Sequence, residues 1–268
     1  MCKAIFIDID GTLRNSKREL TNKTIETIKR ATEHGIIIVL CSGRPRKYTE
    51  IISKQCFASQ YIITSGGGNI YDYKSKKTLY KNIMNKQACK DLYKIAKKVD
   101  ARFLMDVGEC RVVNKVEHFD GSEIKLKGDI YSFIDTNDIM QCTIADRDFD
   151  KIKSIGDEIR NIKNVEIKNQ HKSLTNKNYS KDGTIYYDVA NIESSKGYAI
   201  KEFCKILNIK IEETIAIGDG LNDLNMFENV GYSVAMKNAH PKVKKVADEI
   251  TDSNDNDGVA LFIEKLLK

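Results

Sequence analysis

Proline is almost absent from these 268 residues, with Pro45 and Pro241 the only two. No internal repeat or low-complexity segment interrupts the chain, so any link between domains has to be short. Histidine is equally sparse, and His34, His118, His171 and His240 stand in neither HxxxH nor HExxH spacing, which argues against a zinc site. The seven cysteines, at positions 2, 41, 56, 89, 110, 142 and 204, are odd in number, scattered and free of any CxxC pair. Reduced thiols are expected rather than a disulfide framework. Long apolar runs are missing too: the longest, Gly35 to Cys41, falls far short of the roughly 20 residues that a spanning helix needs. Met1-Cys2-Lys3 runs straight into a strand-like segment with no signal-peptide pattern, so a cytoplasmic protein without a membrane partner is expected. The net charge of +6 is spread along the chain with no dense basic block. It suits anionic small molecules and gives no support to a nucleic-acid partner.

What is present is the composition of an ordinary globular protein, 41% hydrophobic and 31% charged. The first eighty residues alternate apolar runs with amphipathic segments. Lys3 to Ile7 reads as a strand, Thr21 to His34 as a helix and Ile36 to Cys41 as a strand, which is βαβ grammar. Ile25, Ile28 and Ala31 recur at helical spacing, Thr21 is the expected N-cap and Gly35 the stop. The grammar returns near the C-terminus, with a helix over Ser195 to Leu207, a strand Thr214 to Ile217, a helix near Leu221 to Glu228 and a strand near Tyr232 to Ala235. Between them the texture shifts to more lysine and shorter strands such as Phe103 to Met105, with helices near Gln87 to Lys98 and Phe149 to Asn161. The expected organisation is an α/β protein: a Rossmann-like doubly wound parallel sheet formed by residues 1–81 and 187–268, with a smaller α/β cap domain inserted at 82–186.

Four motifs fall where strands end or helices begin. Asp8-Ile9-Asp10-Gly11-Thr12 follows the first strand, at the sheet edge where ligands of open parallel sheets sit, and Gly11 lets the backbone turn away. The bland alternative is an acidic turn, and the spacing does not fit a calcium-binding EF-hand. Cys41-Ser42-Gly43-Arg44 ends the next strand and offers a hydroxyl and a backbone N–H, although serine after a strand is also a common helix cap. Ser194-Ser195-Lys196-Gly197 opens a helix. There a lysine opposes the helix dipole at a cost of about 0.3–1 kcal/mol, so an anion is expected to offset it unless Lys196 simply reaches solvent. Gly218-Asp219-Gly220-Leu221-Asn222-Asp223 again follows an apolar strand; Asp219 occupies the position equivalent to Asp8, while Asp223 also makes sense as a first-turn carboxylate. All four lie on one rim of one sheet. Oxygen ligands from Asp8, Asp219 and the Asp10 carbonyl suit Mg²⁺, with water and a substrate phosphate completing the shell.

In that order, DxDGT, SGR, a lone lysine before a helix and GDGLND resemble the haloacid dehalogenase superfamily, and the insertion after the second motif resembles its capped Cof-type phosphatases. The resemblance extends through Thr64 to Tyr71 and through Thr251-Asp252-Ser253-Asn254 to Gly258-Val259-Ala260. It implies a mobile cap and assigns roles. Asp8 would be the nucleophile and Asp10 the general acid and then base. Ser42, Gly43, Lys196 and Asn222 would hold the phosphoryl group. Asp8, Asp10 and Asp219 would bind magnesium, with Gly11, Thr12, Arg44 and Asp223 in support. The substrate expected is a small phosphate ester, a sugar phosphate first. A phosphosugar mutase and a catalytically silent phosphate-binding or regulatory protein are the alternatives. One departure is visible: family members often carry asparagine before the glycine of the third-strand loop, where this chain reads Ser65-Gly66-Gly67-Gly68-Asn69. Gly66-Gly67-Gly68 lacks the GK[ST] ending of a phosphate loop, and Asp252 to Gly258 lacks the distal glutamate of a calcium loop. Hinges are expected near 81–84 and 186–192. Arg102, Arg111, Lys115 and Lys125 are the candidate anion contacts of the insertion.

Overall fold

A computed structural model of the chain describes residues 2–116, 123–170 and 183–268. Strand β1 (Ala4–Asp8) leads through α1 (Asn22–Glu33), β2 (Ile37–Cys41), α2 (Arg46–Gln55), β3 (Tyr61–Thr64) and β4 (Asn69–Asp72) to β5 (Lys77–Lys81). There follow α3 (Lys86–Lys98), β6 (Arg102–Asp106), β7 (Arg111–Val113), β8 (Glu123–Lys125), α4 (Ile130–Thr136) and β9 (Gln141–Asp146). Next come α5 (Phe149–Ser154), α6 (Gly156–Arg160), β10 (Val165–Gln170) and β11 (Ile185–Asn191). The last stretch holds α7 (Lys196–Leu207), β12 (Thr214–Gly218), α8 (Leu224–Phe227), β13 (Tyr232–Ala235), α9 (Pro241–Val246), β14 (Glu249–Ile250) and α10 (Gly258–Leu266).

The chain divides into two compact units, Met1–Tyr80 with Ser195–Lys268, and Lys81–Ser194. The first is built on a sheet ordered β14-β13-β12-β1-β2-β3-β4-β5, in which β14 through β3 run parallel and β4 is antiparallel to β3. Strand order advances from β1 toward β3 on one side and from β12 toward β14 on the other. The direction of winding therefore reverses between β1 and β12, the place where open α/β sheets form a crevice at their carboxyl ends. Every residue of β1 and β12 is buried, as expected of parallel strands covered on both faces.

Local signals set the helices of this unit. The Thr21 side chain caps α1 by accepting from the Thr24 N–H, and Gly35 follows the helix with φ +83°. Ser195 caps α7 in the same way through the Tyr198 N–H. The helix expected near Leu221 to Glu228 is instead a single 3₁₀ turn, Leu221–Asp223, followed by the four residues of α8. The Asp223 carboxylate turns back onto the Asp219 and Gly220 N–H groups, and this tightens the chain before an α-helix can start.

The inserted unit carries a second sheet, β10-β11-β9-β6-β7-β8, antiparallel except for β7 and β8. Its apolar core, which includes Phe103, Ile144 and Val189, is separate from that of the first unit. The helix expected over Phe149 to Asn161 breaks into α5 and α6 at Gly156, where a β-carbon would lie 2.5 Å from the Tyr187 hydroxyl oxygen. The expected return to the core at residue 187 falls inside β11, which pairs with β10 on one side and β9 on the other. Residues 186–191 are therefore part of the second sheet, and the division lies between Ser194 and Ser195. Arg102 is committed within the fold, donating to both oxygens of Glu123 at 2.7 and 2.8 Å. Lys115 pairs with Asp100, and Lys125 lies exposed on β8. His34 and His240 serve helix ends, whereas His118 and His171 lie outside the described residues. Among the described residues no helix is long and apolar enough to cross a membrane, and no cysteine forms a disulfide. Burial pushes the Cys56 thiol up to about 12 and the Cys204 thiol to about 11.

Phe203 anchors α7 to the sheet through edge contacts with Phe6 and Tyr61, at centroid separations of 5.5 and 5.4 Å. It is fully buried. Phe203→Ala is expected to lower unfolding free energy by about 3–5 kcal/mol in denaturant titration. A loss under about 1 kcal/mol would mean that α7 is not packed against β1 as described.

Candidate active site

The register of the parallel strands brings distant motifs together. Asp8 closes β1 level with Cys41 of β2, so Ser42 follows directly on the neighbouring strand. Ile7 is level with Ile217 of β12, and Asp219 emerges just beyond Gly218 on the other side. After Asp8 the chain turns sharply, with the Leu13 N–H donating to the Asp8 carbonyl and the Arg14 N–H to the Ile9 carbonyl. Gly11 sits in that turn at φ +98°, and a β-carbon there would stand 2.5 Å from the Asp219 carboxylate. Only glycine allows both the backbone angle and the approach.

Lys196, at the first position of α7, is 2% exposed and donates to Asp8 Oδ1 and to Asp223 Oδ1, the latter at 2.7 Å. These carboxylates are the anions that its place at the positive helix end calls for. Burial works against the ammonium, but Asp223 and Asp8 together hold its pKa well above the usual lysine value. Burial also pushes the Asp8 carboxyl well up, Lys196 pulls it back, and Asp223 and Asp219 add to the rise. The other oxygen of Asp223 accepts from the Asp219 and Gly220 N–H groups at 3.0 and 2.9 Å. Thr12 donates its hydroxyl to Asp219 Oδ1 at 2.8 Å.

Asp10 projects from the turn with 38% of its side chain exposed, and Arg44 Nε donates to its Oδ2 at 3.0 Å. The Arg44 backbone N–H donates to Ser42 Oγ, which leaves the serine proton available to a ligand. Gly43 lies half-buried between them. Asn222 is exposed on its 3₁₀ turn and, among the described residues, its side chain has no hydrogen-bond partner. Of the residues picked from the sequence, Asp8, Thr12, Lys196, Asp219 and Asp223 form one network, buried except at the half-buried Asp219. Asp10, Ser42 and Arg44 form a second one beside it.

Sequence reasoning missed Asn238, whose side-chain amide donates to the Gly11 carbonyl at 2.8 Å and so pins the turn that carries Asp10. Its only signal is its place just after an apolar strand of the same sheet. At the third-strand loop Gly66 has φ +64° and ψ 20°, a left-handed conformation that asparagine also tolerates, so the departure noted above leaves the backbone unchanged. The buried Thr64 and Ser65 hydroxyls and Asn69 Oδ1 flank it with no hydrogen-bond partner among the described residues. The acidic segment near residue 255 is not a metal loop: Asp255 accepts from the Ser16 N–H and Asp257 from the Thr21 hydroxyl, so each holds chain rather than a shared centre.

Carboxylate oxygens of Asp8, Asp219 and Asp223 lie within 4.8 Å of one another. Three carboxylates against one ammonium leave an excess of negative charge, and the donors are hard oxygens, so the residues present fit a divalent cation of the magnesium type.

A family model described as haloacid dehalogenase-like hydrolase matches residues 5–263. The chain belongs to this family. Among curated proteins it is 28% identical to the 5-amino-6-(5-phospho-D-ribitylamino)uracil phosphatase YwtE of Bacillus subtilis, over 99% of this chain and 98% of that one. It is also 28% identical to the phosphatase YwpJ of the same organism, over 99% and 100%. Among solved structures, a haloacid dehalogenase-like hydrolase from Bacteroides thetaiotaomicron superposes with a TM-score of 0.85 at 29% identity, covering 99% of this chain and 100% of that one. The haloacid dehalogenase-like hydrolase fold thus accounts for both units.

Removing the ammonium of Lys196 leaves two buried carboxylates facing each other. Lys196→Met is expected to cost about 3–5 kcal/mol of unfolding free energy in metal-free buffer. Differential scanning calorimetry that finds the variant as stable as the parent would show that Lys196 does not bridge Asp8 and Asp223.

Proposed function

We propose that this haloacid dehalogenase-like hydrolase is a cytoplasmic, magnesium-dependent phosphatase that releases phosphate from a small-molecule ester by way of a phosphorylated Asp8. The observation that carries this reading is the placement of one buried ammonium, Lys196, between Asp8 and Asp223, with Asp219 alongside and Asp10 two residues further on. Asp8, Asp219 and the Asp10 carbonyl would hold magnesium, with Asp223 ordering Lys196 and the Asp219 loop. When bound, the ion would offset the negative charge of the attacking carboxylate and of the phosphoryl oxygens.

Lys196 and the Ser42 hydroxyl bind the phosphoryl oxygens and lower the repulsion that an anionic nucleophile meets at a dianionic ester. An Asp8 oxygen forms a bond to phosphorus while the bond from phosphorus to the ester oxygen breaks, and protonated Asp10 gives its proton to that leaving oxygen. Asp10, now a carboxylate, takes a proton from water as the water oxygen attacks the phosphorus. The aspartyl bond breaks, and Asp8 and inorganic phosphate are regenerated. The Arg44 guanidinium fixes the Asp10 side chain for both proton transfers. A sugar or polyol phosphate is the substrate class favoured, in keeping with the phosphoribityl compound in the name of the Bacillus subtilis relative.

Phosphate release from a panel of sugar and polyol phosphates tests the reading. Asp8→Asn is expected to abolish release, Asp10→Ala to reduce kcat by about 10²–10⁴-fold, and a chelator to silence the parent until magnesium is restored. Equal, small losses in both variants would overturn the assignment.

A further inference from the structure

A recess of about 220 Å³ opens beside Asp10, entirely within the first unit, and three of its lining residues are arginines: Arg14, Arg18 and Arg44. Asp10 is the one carboxylate on its wall, and it is already matched by Arg44. Arg14 is half-buried, and its guanidinium is steadied by donation to the Tyr48 hydroxyl at 2.6 Å. Tyr48 in turn lies under Arg44, whose guanidinium carbon is 4.8 Å from the ring centroid. No described carboxylate pairs with Arg14 or Arg18. Two acidic groups bonded to this turn are otherwise engaged: Asp255 accepts from the Ser16 N–H and Glu19 from the Asn15 amide. The recess therefore keeps two guanidinium charges that no carboxylate among the described residues neutralises.

The walls that present these charges are fixed. Asn15 Oδ1 accepts from the Lys17 and Glu19 N–H groups, and Asn254 donates to the Arg14 carbonyl. Asp10 and Arg14 are also joined by a backbone bridge, so the recess is tied to the turn that carries the proton donor. Planar guanidinium groups on such a held backbone bind a carboxylate or phosphate through paired N–H donors.

We propose that this recess is a second anion site, which holds an acidic group on the leaving half of the substrate, so that the enzyme prefers phosphate esters bearing a further carboxylate or phosphate. The proposal rests on the phosphatase reading, because it places the departing alcohol next to Asp10. A matched series tests it: 3-hydroxypropyl phosphate, 2-carboxyethyl phosphate and propane-1,3-diyl bisphosphate, with p-nitrophenyl phosphate as a reference lacking the second anion. In the parent enzyme kcat/KM for one or both of the doubly anionic esters is expected to exceed that of the hydroxypropyl ester by about 10-fold or more. The ester preferred tells carboxylate from phosphate. In Arg18→Gln, at an exposed position, the preference falls in part. With Arg14→Leu added it falls to near unity, while kcat/KM for p-nitrophenyl phosphate and the hydroxypropyl ester stays within about twofold of the parent. Activity on the esters that lack a second anion without any preference in the parent, or equal loss on esters with and without it in the variants, overturns the second site alone. No phosphate released from any ester overturns the phosphatase reading and this proposal with it.

Discussion

The Lys196 ammonium decides what the carboxylates around it can do. Asp8 and Asp223 are both under 8% exposed, and a pair of buried carboxylates without a cation would take up protons rather than remain charged. Lys196 reaches both. It starts α7 at the end of the helix where a cation is least welcome, so the helix gives up a little stability and the rim gains a fixed positive charge. Asp219 adds a third carboxylate that this charge does not balance. The imbalance is the physical reason to place a divalent cation there, which would offset the rise that burial, Asp223 and Asp219 impose on the Asp8 carboxyl and so favour its anionic, nucleophilic form.

Around this centre the backbone is held by parts from far along the chain. The turn after Asp8 is tied by Thr12 to Asp219, by Asn238 to Gly11 and by Asn254 to the Arg14 carbonyl. The loop after β3 comes equally close: at Gly67, with φ +101°, a β-carbon would run into the Ser195 carbonyl just before Lys196. Both glycines serve close approach, one to the carboxylate of Asp219 and the other to the start of α7. A proton donor on such a pinned turn is positioned by the fold, and its partner Arg44 leads from it into the arginine-lined recess.

Much of this was legible in the sequence because parallel strands announce themselves as continuous apolar runs, and a parallel sheet puts the residues after each run on a common rim. That is why Asp8, Ser42 and Asp219 are legible in the sequence. Lys196 is legible for a different reason, since a lysine in a first helical turn asks for an anion. What stayed hidden depended on contacts with no local signature. Asn238 lies more than two hundred residues from Gly11, and nothing near it marks the bond. The 3₁₀ turn at Leu221–Asp223 follows from a side chain folding back onto the backbone, which periodicity does not record. The boundary at Ser194 was misplaced because β11 reads like a core strand and is claimed by the second sheet only through its partners β9 and β10. The charge of Arg14 and Arg18 became informative only when the turn brought them beside Asp10.

The central claim is that Asp8 and Asp219 share a divalent cation beside the attacking oxygen. Calorimetric titration of magnesium chloride into metal-free parent enzyme and into Asp219→Asn tests it without reference to turnover. The account predicts a single saturable site in the parent and at least a tenfold weaker one in the variant, with circular dichroism unchanged. Equal magnesium affinity in the two proteins would contradict it.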